Sequence, residues 1–271
     1  MKWIALIAMT LAHIEVVIGQ WVIIPLWQDN LAISMWIMRS LTIIGRLAFP
    51  LFAFLIAEGC RNTKSMLRYI GRLLLFAVIS QPFFYIANYY PDLTASSAAE
   101  GVSRAFRSVL RLRLTNVMTT LTLGACCIFA FQKLRTSKYS GQKWIIILIV
   151  LIACILAAVI KTDYSWFGVA LIFGLYIVKN KTVRFALVTS WSFAAYMIIA
   201  AYNGTTLTWI RSGASAVEHA LLFAASCSSV ILMNNYTSVR HKKTKWFFYI
   251  YYPAHFIILV LVNTALRKVL D

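Results

Sequence analysis

With 271 residues, 61% of them hydrophobic and only 13% charged, the chain is too apolar to stay in water as a soluble domain, and it reads as a membrane protein. Its formal charge of +18 would suggest nucleic acid in a soluble protein. Here the basic residues stand between long apolar runs, where membrane topology accounts for them without a nucleic-acid partner.

Apolar runs near the ~20 residues needed to cross hydrocarbon predict helices at roughly 3–24, 36–57, 67–87, 114–131, 144–160, 165–178, 184–201, 215–233 and 246–266. The expected fold is therefore all-α, a single integral-membrane domain over 1–271 with about nine transmembrane helices around a polar intramembrane cavity. The apolar start after Met1-Lys2 reads as the first span rather than a signal peptide, because no small-residue cleavage site precedes a polar domain. Alternate connections are strongly basic: Arg61/Lys64/Arg68, Lys133/Arg135/Lys138/Lys143, Lys179/Lys181/Arg184 and Arg240/Lys242/Lys243/Lys245. The positive-inside rule puts these four, and with them the amino terminus, in the cytoplasm. The connection 88–113 resists this scheme, since it should lie outside yet carries Arg104, Arg107, Arg111 and Arg113. From Ser103 to Leu114, Arg104, Arg107 and Arg111 share a helical face, the pattern of an amphipathic helix lying on headgroups, and Thr94–Ala99 reads as a flexible tip.

The first span holds His13 near its middle, where an unpaired imidazole is costly. Glu15, two residues on, points to another side of the same helix. The second span runs through Gly45-Arg46-Leu47-Ala48-Phe49-Pro50-Leu51-Phe52-Ala53-Phe54-Leu55-Ile56-Ala57-Glu58-Gly59. Pro50 cannot bond the Arg46 carbonyl, so a bend is expected there, and lipid tolerates the freed oxygen and the guanidinium only against protein or a hydrated cavity. Arg39 and Arg46, seven apart, form a stripe towards the midplane. Tyr251-Tyr252-Pro253-Ala254-His255 repeats the device, with a proline and a midplane histidine. Ser80-Gln81-Pro82, Thr115-Asn116 with Thr119, and Asp163-Tyr164 fall at the outer side. Individually they read as a proline turn and helix caps; together they would ring the mouth of a cavity floored by His13, Arg46 and His255. Glu58 sits beside the basic Arg61/Lys64 turn, where a surface ion pair is expected. The five cysteines, Cys60, Cys126, Cys127, Cys154 and Cys227, show no CxxC or His/Cys metal spacing, and neither disulfides nor a metal are expected.

These segments together resemble the TraX family of integral membrane proteins. The matching pieces are Lys2-Trp3-Ile4-Ala5-Leu6-Ile7-Ala8-Met9 leading to His13-Ile14, the Gly45–Phe54 stretch with Glu58-Gly59, and Tyr69 with Arg72-Leu73. Ser80-Gln81-Pro82, Asn116 with Thr120, Asp163-Tyr164 with Gly168, and Phe248-Tyr249 through Tyr252-Pro253 and His255 complete them. A looser similarity links the chain to membrane acyltransferases that move acyl groups from CoA to outward-facing acceptors. One departure stands out: the family often has Asp-His where this chain has Ala12-His13, and Glu15 is the carboxylate available to take that place.

The resemblance implies a bacterial inner-membrane N-acetyltransferase, using acetyl-CoA without a metal, whose acceptor is the amino-terminal alanine of a conjugative pilin held in the same lipid. On that reading His13 is the general base, Arg46 faces the oxyanion or thioester carbonyl, and His255 orients the acceptor or relays its proton. Arg39, Asn116, Asp163, Glu15, Ser80 and Gln81 are the candidate substrate or cofactor contacts. A covalent route through Cys60 is the weaker chemistry. A small-solute or proton-coupled transporter would also use midplane histidines and proline-bent helices, but no two halves of the sequence mirror each other. A noncatalytic secretion assembly factor is the third class, and it gives the buried His13 and Arg46 no task beyond packing.

Overall fold

The computed structural model describes residues 1–89, 95–110, 114–135, 141–202, 213–237 and 245–270, all of them helical or in short connections. The first span opens as α1 (Lys2–Ile14), continues as a π-helix (Glu15–Ile23) and ends in the single turn α2 (Ile24–Leu26), followed by a 3₁₀ turn (Gln28–Asn30). The chain returns as α3 (Leu31–Gly45) and α4 (Ala48–Asn62), then α5 (Met66–Tyr89) and α6 (Ala95–Leu110). It proceeds through α7 (Val117–Arg135), α8 (Gln142–Ile160), α9 (Ser165–Ile177), α10 (Lys181–Tyr202), α11 (Gly213–Asn234) and α12 (Lys245–Leu270).

Six helical stretches among the described residues are long and apolar enough to cross a membrane: Lys2–Gly19, Leu31–Asn62, Met66–Tyr89, Val117–Arg135, Lys143–Ile160 and Trp246–Leu270. The protein is thus a multi-pass helical membrane protein. The expected count of about nine is not reached by this measure; Ser165–Ile177 and His219–Asn234 are apolar but shorter.

α4 is the axis of the bundle. It buries Phe49, Leu51, Ala53, Phe54, Ala57 and Cys60 and packs against α1, α7, α9 and α11. α12 lies along α5 and along the π-helical part of the first span, bringing the two ends of the chain together. α8 is apolar on every side and exposes Ile155 and Val159, as suits a helix facing lipid.

Two arginines expected in cytoplasmic loops are tied into the bundle instead. Arg61 pairs with Glu58 and donates to the carbonyls of Leu175, at 2.8 Å, and Tyr176, the last turn of α9. Arg184 donates to Asn234 Oδ1 at 3.0 Å and to the carbonyls of Met233 and Lys179. Each guanidinium satisfies acceptors that a helix end leaves open, and its charge complements the negative end of the helix dipole.

Several sequence expectations change in the folded chain. The bend expected inside one span at Pro50 is a two-residue break at Arg46-Leu47, with Pro50 in the first turn of α4, where its missing N–H costs no helical bond. Pro82 is not a turn but lies inside α5, and Pro253 lies inside an unbroken α12. Ala95–Ala99, read as a flexible tip, belongs to α6, whose Arg104 pairs with Glu100. Thr94, Arg111, Arg113, Lys138, Arg240, Lys242 and Lys243 lie outside the described residues.

Candidate functional site

The site forms where α1 crosses α3. An ideal Cβ built on Gly45 would stand 2.5 Å from Ala12 Cβ, so the two backbones meet at a distance only glycine allows. The residue after each contact point is one of the candidate site residues: His13 follows Ala12 on one helix of the crossing, and Arg46 follows Gly45 at the end of the other. Directly beyond His13 the first span changes to i→i+5 bonding, a widening seen often at functional positions.

His13 and His255 are hydrogen-bonded, with Nδ1 of the first 3.1 Å from Nε2 of the second. His255 Nδ1 lies 3.2 Å from the Tyr251 carbonyl, which can only accept, so this nitrogen carries a proton. With both rings neutral, His255 Nε2 then holds a lone pair and His13 Nδ1 must donate to it. The lone pair of His13 is left on Nε2. Around the pair, Phe256 meets the His13 ring edge-on at 4.6 Å, Tyr251 stacks on His255, and the Tyr251 hydroxyl lies 2.8 Å from Thr10 Oγ1. The chain Thr10, Tyr251, His255, His13 thus joins α1 to α12.

The second cluster surrounds Arg46. Its guanidinium lies 5.9 Å from the Tyr196 ring and acts electrostatically on Tyr164, Glu15 and Asp163. Its Nε is buried and has no partner among the described residues. Asp163 and Tyr164 occupy the tight turn between α8 and α9. The Asp163 N–H donates to the Thr115 carbonyl at 2.7 Å, and its own carbonyl accepts from Thr120 Oγ1. Tyr164 stacks on Phe49 with centroids 3.7 Å apart, and Trp191 flanks both rings. Lys161, Tyr164 and Ser165 all have positive φ, 57°, 60° and 44°, a local strain that the surrounding hydrogen bonds and stacking must hold in place. Burial pushes the Asp163 carboxyl up to about 6, while the Tyr164 backbone N–H and the Arg46 charge draw it down.

Tyr252 links the clusters. Its ring lies 5.5 Å from His255, its charge environment includes Asp163 and Tyr164, and its buried hydroxyl has no hydrogen-bond partner among the described residues. The orphaned Arg46 Nε, Tyr252 hydroxyl and Thr119 Oγ1 leave hydrogen-bonding capacity open at the centre of the protein, where such groups are normally paired.

The structure brings His13 to His255 and gathers Arg46, Glu15 and Asp163, with Tyr252 between. No hydrogen bond joins His13 to Arg46 among the described residues. Glu15, expected to orient His13, faces the Arg46 charge instead; His255 holds the histidine. Gln81 and Asn116 form their own brace. Asn116 Nδ2 donates to Gln81 Oε1 and to the Ala77 carbonyl, both at 2.8 Å, and Gln81 Nε2 donates to Thr115 Oγ1. Asn116 also caps α7 through Oδ1 and the Thr119 N–H, as expected, whereas Asp163 makes no side-chain cap of α9. Ser80 bonds the Phe76 carbonyl of its own helix. Arg39 stands half-buried on α3, seven residues before Arg46. Tyr196 and Thr10 carried no signal in the sequence, since a lone tyrosine or threonine in an apolar run does not announce a partner; Tyr252 was visible only within a motif.

Fold and site define a polytopic helical membrane protein with a polar, hydrogen-bonded centre built from its first and last spans. Residues 1–263 match the family described as TraX protein, and the chain belongs to that family. It is also similar, at 25% identity over 273 residues, to a protein of Dichelobacter nodosus described as probable fimbrial assembly protein FimC, serogroup H1, an alignment covering 98% of this chain and 96% of that one. No solved structure matches the chain.

Proposed function

We propose that the protein is a bacterial inner-membrane N-acetyltransferase that moves acetyl from acetyl-CoA to the amino-terminal alanine of a pilin subunit. The observation that carries the reading is the His13–His255 hydrogen bond, because it leaves the His13 Nε2 lone pair ready to take a proton. Family membership and the fimbrial description of the relative support a pilin-related acceptor.

The acceptor arrives as an ammonium, drawn by the Asp163 and Glu15 carboxylates, and releases one proton to water. The free amine attacks the thioester carbonyl, and His13 Nε2 accepts the second proton as the C–N bond forms. The oxyanion of the tetrahedral intermediate meets the Arg46 guanidinium, the kind of preorganised donor that dominates such catalysis. Collapse breaks the C–S bond, and His13 returns the proton to the departing thiolate. A positioned base of this kind typically contributes ~100- to 10,000-fold. The amino terminus faces the cytoplasm, so that Arg61, Lys64, Arg68, Lys179 and Lys181 lie on the side where the anionic donor is found.

The relative's description favours a second reading, a noncatalytic assembly factor. One experiment separates them. Purified protein in lipid nanodiscs is incubated with labelled acetyl-CoA and mature pilin, and label is sought on the pilin amino terminus. Transfer that is lost in His13→Gln and Arg46→Gln, with both variants still in the membrane, supports the enzyme; absence of transfer by the unaltered protein refutes it.

A further inference from the structure

Glu58-Gly59, Tyr69, Arg72-Leu73 and Phe248-Tyr249 take no part in the clusters around His13 and Arg46. The fold brings them together at the opposite end of the bundle from the Asp163 turn, where α4 leaves for α5 and α12 begins. An ideal Cβ on Gly59 would stand 2.5 Å from the Tyr69 hydroxyl, so glycine lets this tyrosine close against α4. The Arg72 guanidinium lies 5.9 Å from the Tyr69 ring and within electrostatic reach of the Tyr249 hydroxyl. Tyr249 in turn stacks on Phe76 with centroids 5.2 Å apart, which fixes the position of its hydroxyl.

Arg72 is short of partners for its setting. Its Nε is buried with no hydrogen-bond acceptor, and among the described residues no carboxylate is paired with it. Glu58, the acid nearest in sequence, is committed to Arg61. Arg72 is only partly exposed, and a guanidinium shielded in this way without a counter-charge is costly, a cost that the tyrosine ring offsets only in part. The surroundings add positive charge: Lys64 and Arg68 are exposed on the adjoining turn, and Lys2 Nζ lies 5.7 Å from the Phe248 ring.

We propose that Arg72, Tyr69 and Tyr249 form an anion subsite for a phosphate ester reaching the protein from its basic face. The planar guanidinium fork matches two phosphate oxygens, and the two phenolic hydroxyls donate to a third. Two sources share this chemistry, a phosphorylated soluble donor such as CoA and the headgroup of an anionic lipid. The use of CoA as a probe rests on the acetyl-transfer reading; the subsite itself does not.

The test uses the whole protein in nanodiscs of phosphatidylcholine alone or with phosphatidylglycerol, and measures binding of CoA, dephospho-CoA and inorganic pyrophosphate. Wild type binds at least one of these anions, or takes up phosphatidylglycerol selectively, and Arg72→Gln weakens that binding by about 10- to 100-fold, the range of a charged hydrogen-bond pair. Tyr249→Phe, which keeps the stacked ring, weakens it by several-fold and controls for misfolding. Competition by phosphatidylglycerol assigns the site to lipid; indifference to it assigns the site to the soluble anion. Equal binding by wild type and Arg72→Gln, or no binding of any probe by wild type, overturns the proposal. Anion binding without acetyl transfer refutes the enzymatic reading and leaves the subsite standing, whereas transfer whose KM for acetyl-CoA is unchanged in Arg72→Gln leaves only the lipid assignment to support it.

Discussion

Replacing His255 by phenylalanine tests the proton arrangement at the site, because it keeps an aromatic ring against Phe256 and Tyr252 while removing the acceptor for the His13 Nδ1 proton. On the proposed acetyl-transfer mechanism His13 becomes an imidazolium in the transition state, and the lost contact is then a hydrogen bond to a charged group, worth about 1.5–3 kcal/mol. Converted at 1.36 kcal/mol per decade, this is a fall in kcat of about 10- to 150-fold, with KM for acetyl-CoA little altered. His13→Gln removes the base itself and costs ~100- to 10,000-fold. Since His255 acts through His13, the double variant should be no slower than His13→Gln alone. The assay is single-turnover transfer of labelled acetyl to pilin in nanodiscs. Full activity in His255→Phe, or losses that multiply in the double variant, would refute the tautomer assignment.

Gly45→Val drives a side chain into Ala12 and should lower stability by about 1–3 kcal/mol, the usual cost of overpacking; adding Ala12→Gly should recover part of it, read as thermal unfolding in detergent. Asn116→Ala removes the Nδ2 hydrogen bonds to Gln81 Oε1 and the Ala77 carbonyl, about 0.5–1.5 kcal/mol each, while the backbone N–H at that position still donates to Gln81 Oε1, so the melting temperature falls even if catalysis in the surviving fold is unchanged. The Asp163 carboxyl, held near 6 rather than its ordinary 3.8, is charged only above that pH. Acceptor binding should therefore weaken as pH drops through about 6, and Asp163→Asn should abolish the inflection. The same shift has an opposite effect on stability: a raised folded value favours folding fully below about 4 and loses that contribution as pH rises through 6, so Asp163→Asn should raise the melting temperature at pH 8 and leave it nearly unchanged at pH 4. Glu15→Gln should alter the response of activity to substitution at Arg46, whose charge it faces, rather than mimic loss of His13; a phenotype equal to His13→Gln would show that Glu15 serves the histidine.

The membrane class and six of the nine expected spans were legible because hydrocarbon thickness imposes run lengths that no soluble sequence shows. His13, Arg46 and His255 stood out for the same reason: charge and imidazole at midplane depth require a protein surrounding. The partnerships were not legible. That His13 meets His255 rather than Glu15 depends on α12 lying along the first span, a contact between the two ends of the chain that no local pattern encodes. The π-helical segment from Glu15 was equally hidden, since Val16, Val17 and Ile18 fit either helix. Pro50 signalled an interruption, but not that it would fall at Arg46-Leu47, ahead of α4, rather than as a kink within one helix.

The touching of Ala12 and Gly45 has a mechanical result. His13 and Arg46 are each one peptide removed from a shared pivot, so when the first span tilts or slides to suit a thinner or thicker bilayer, both side chains travel with the pivot. The spacing between them is set by two backbones in contact, and changes in lipid composition should move the outer helices well before they disturb the distance between the imidazole and the guanidinium.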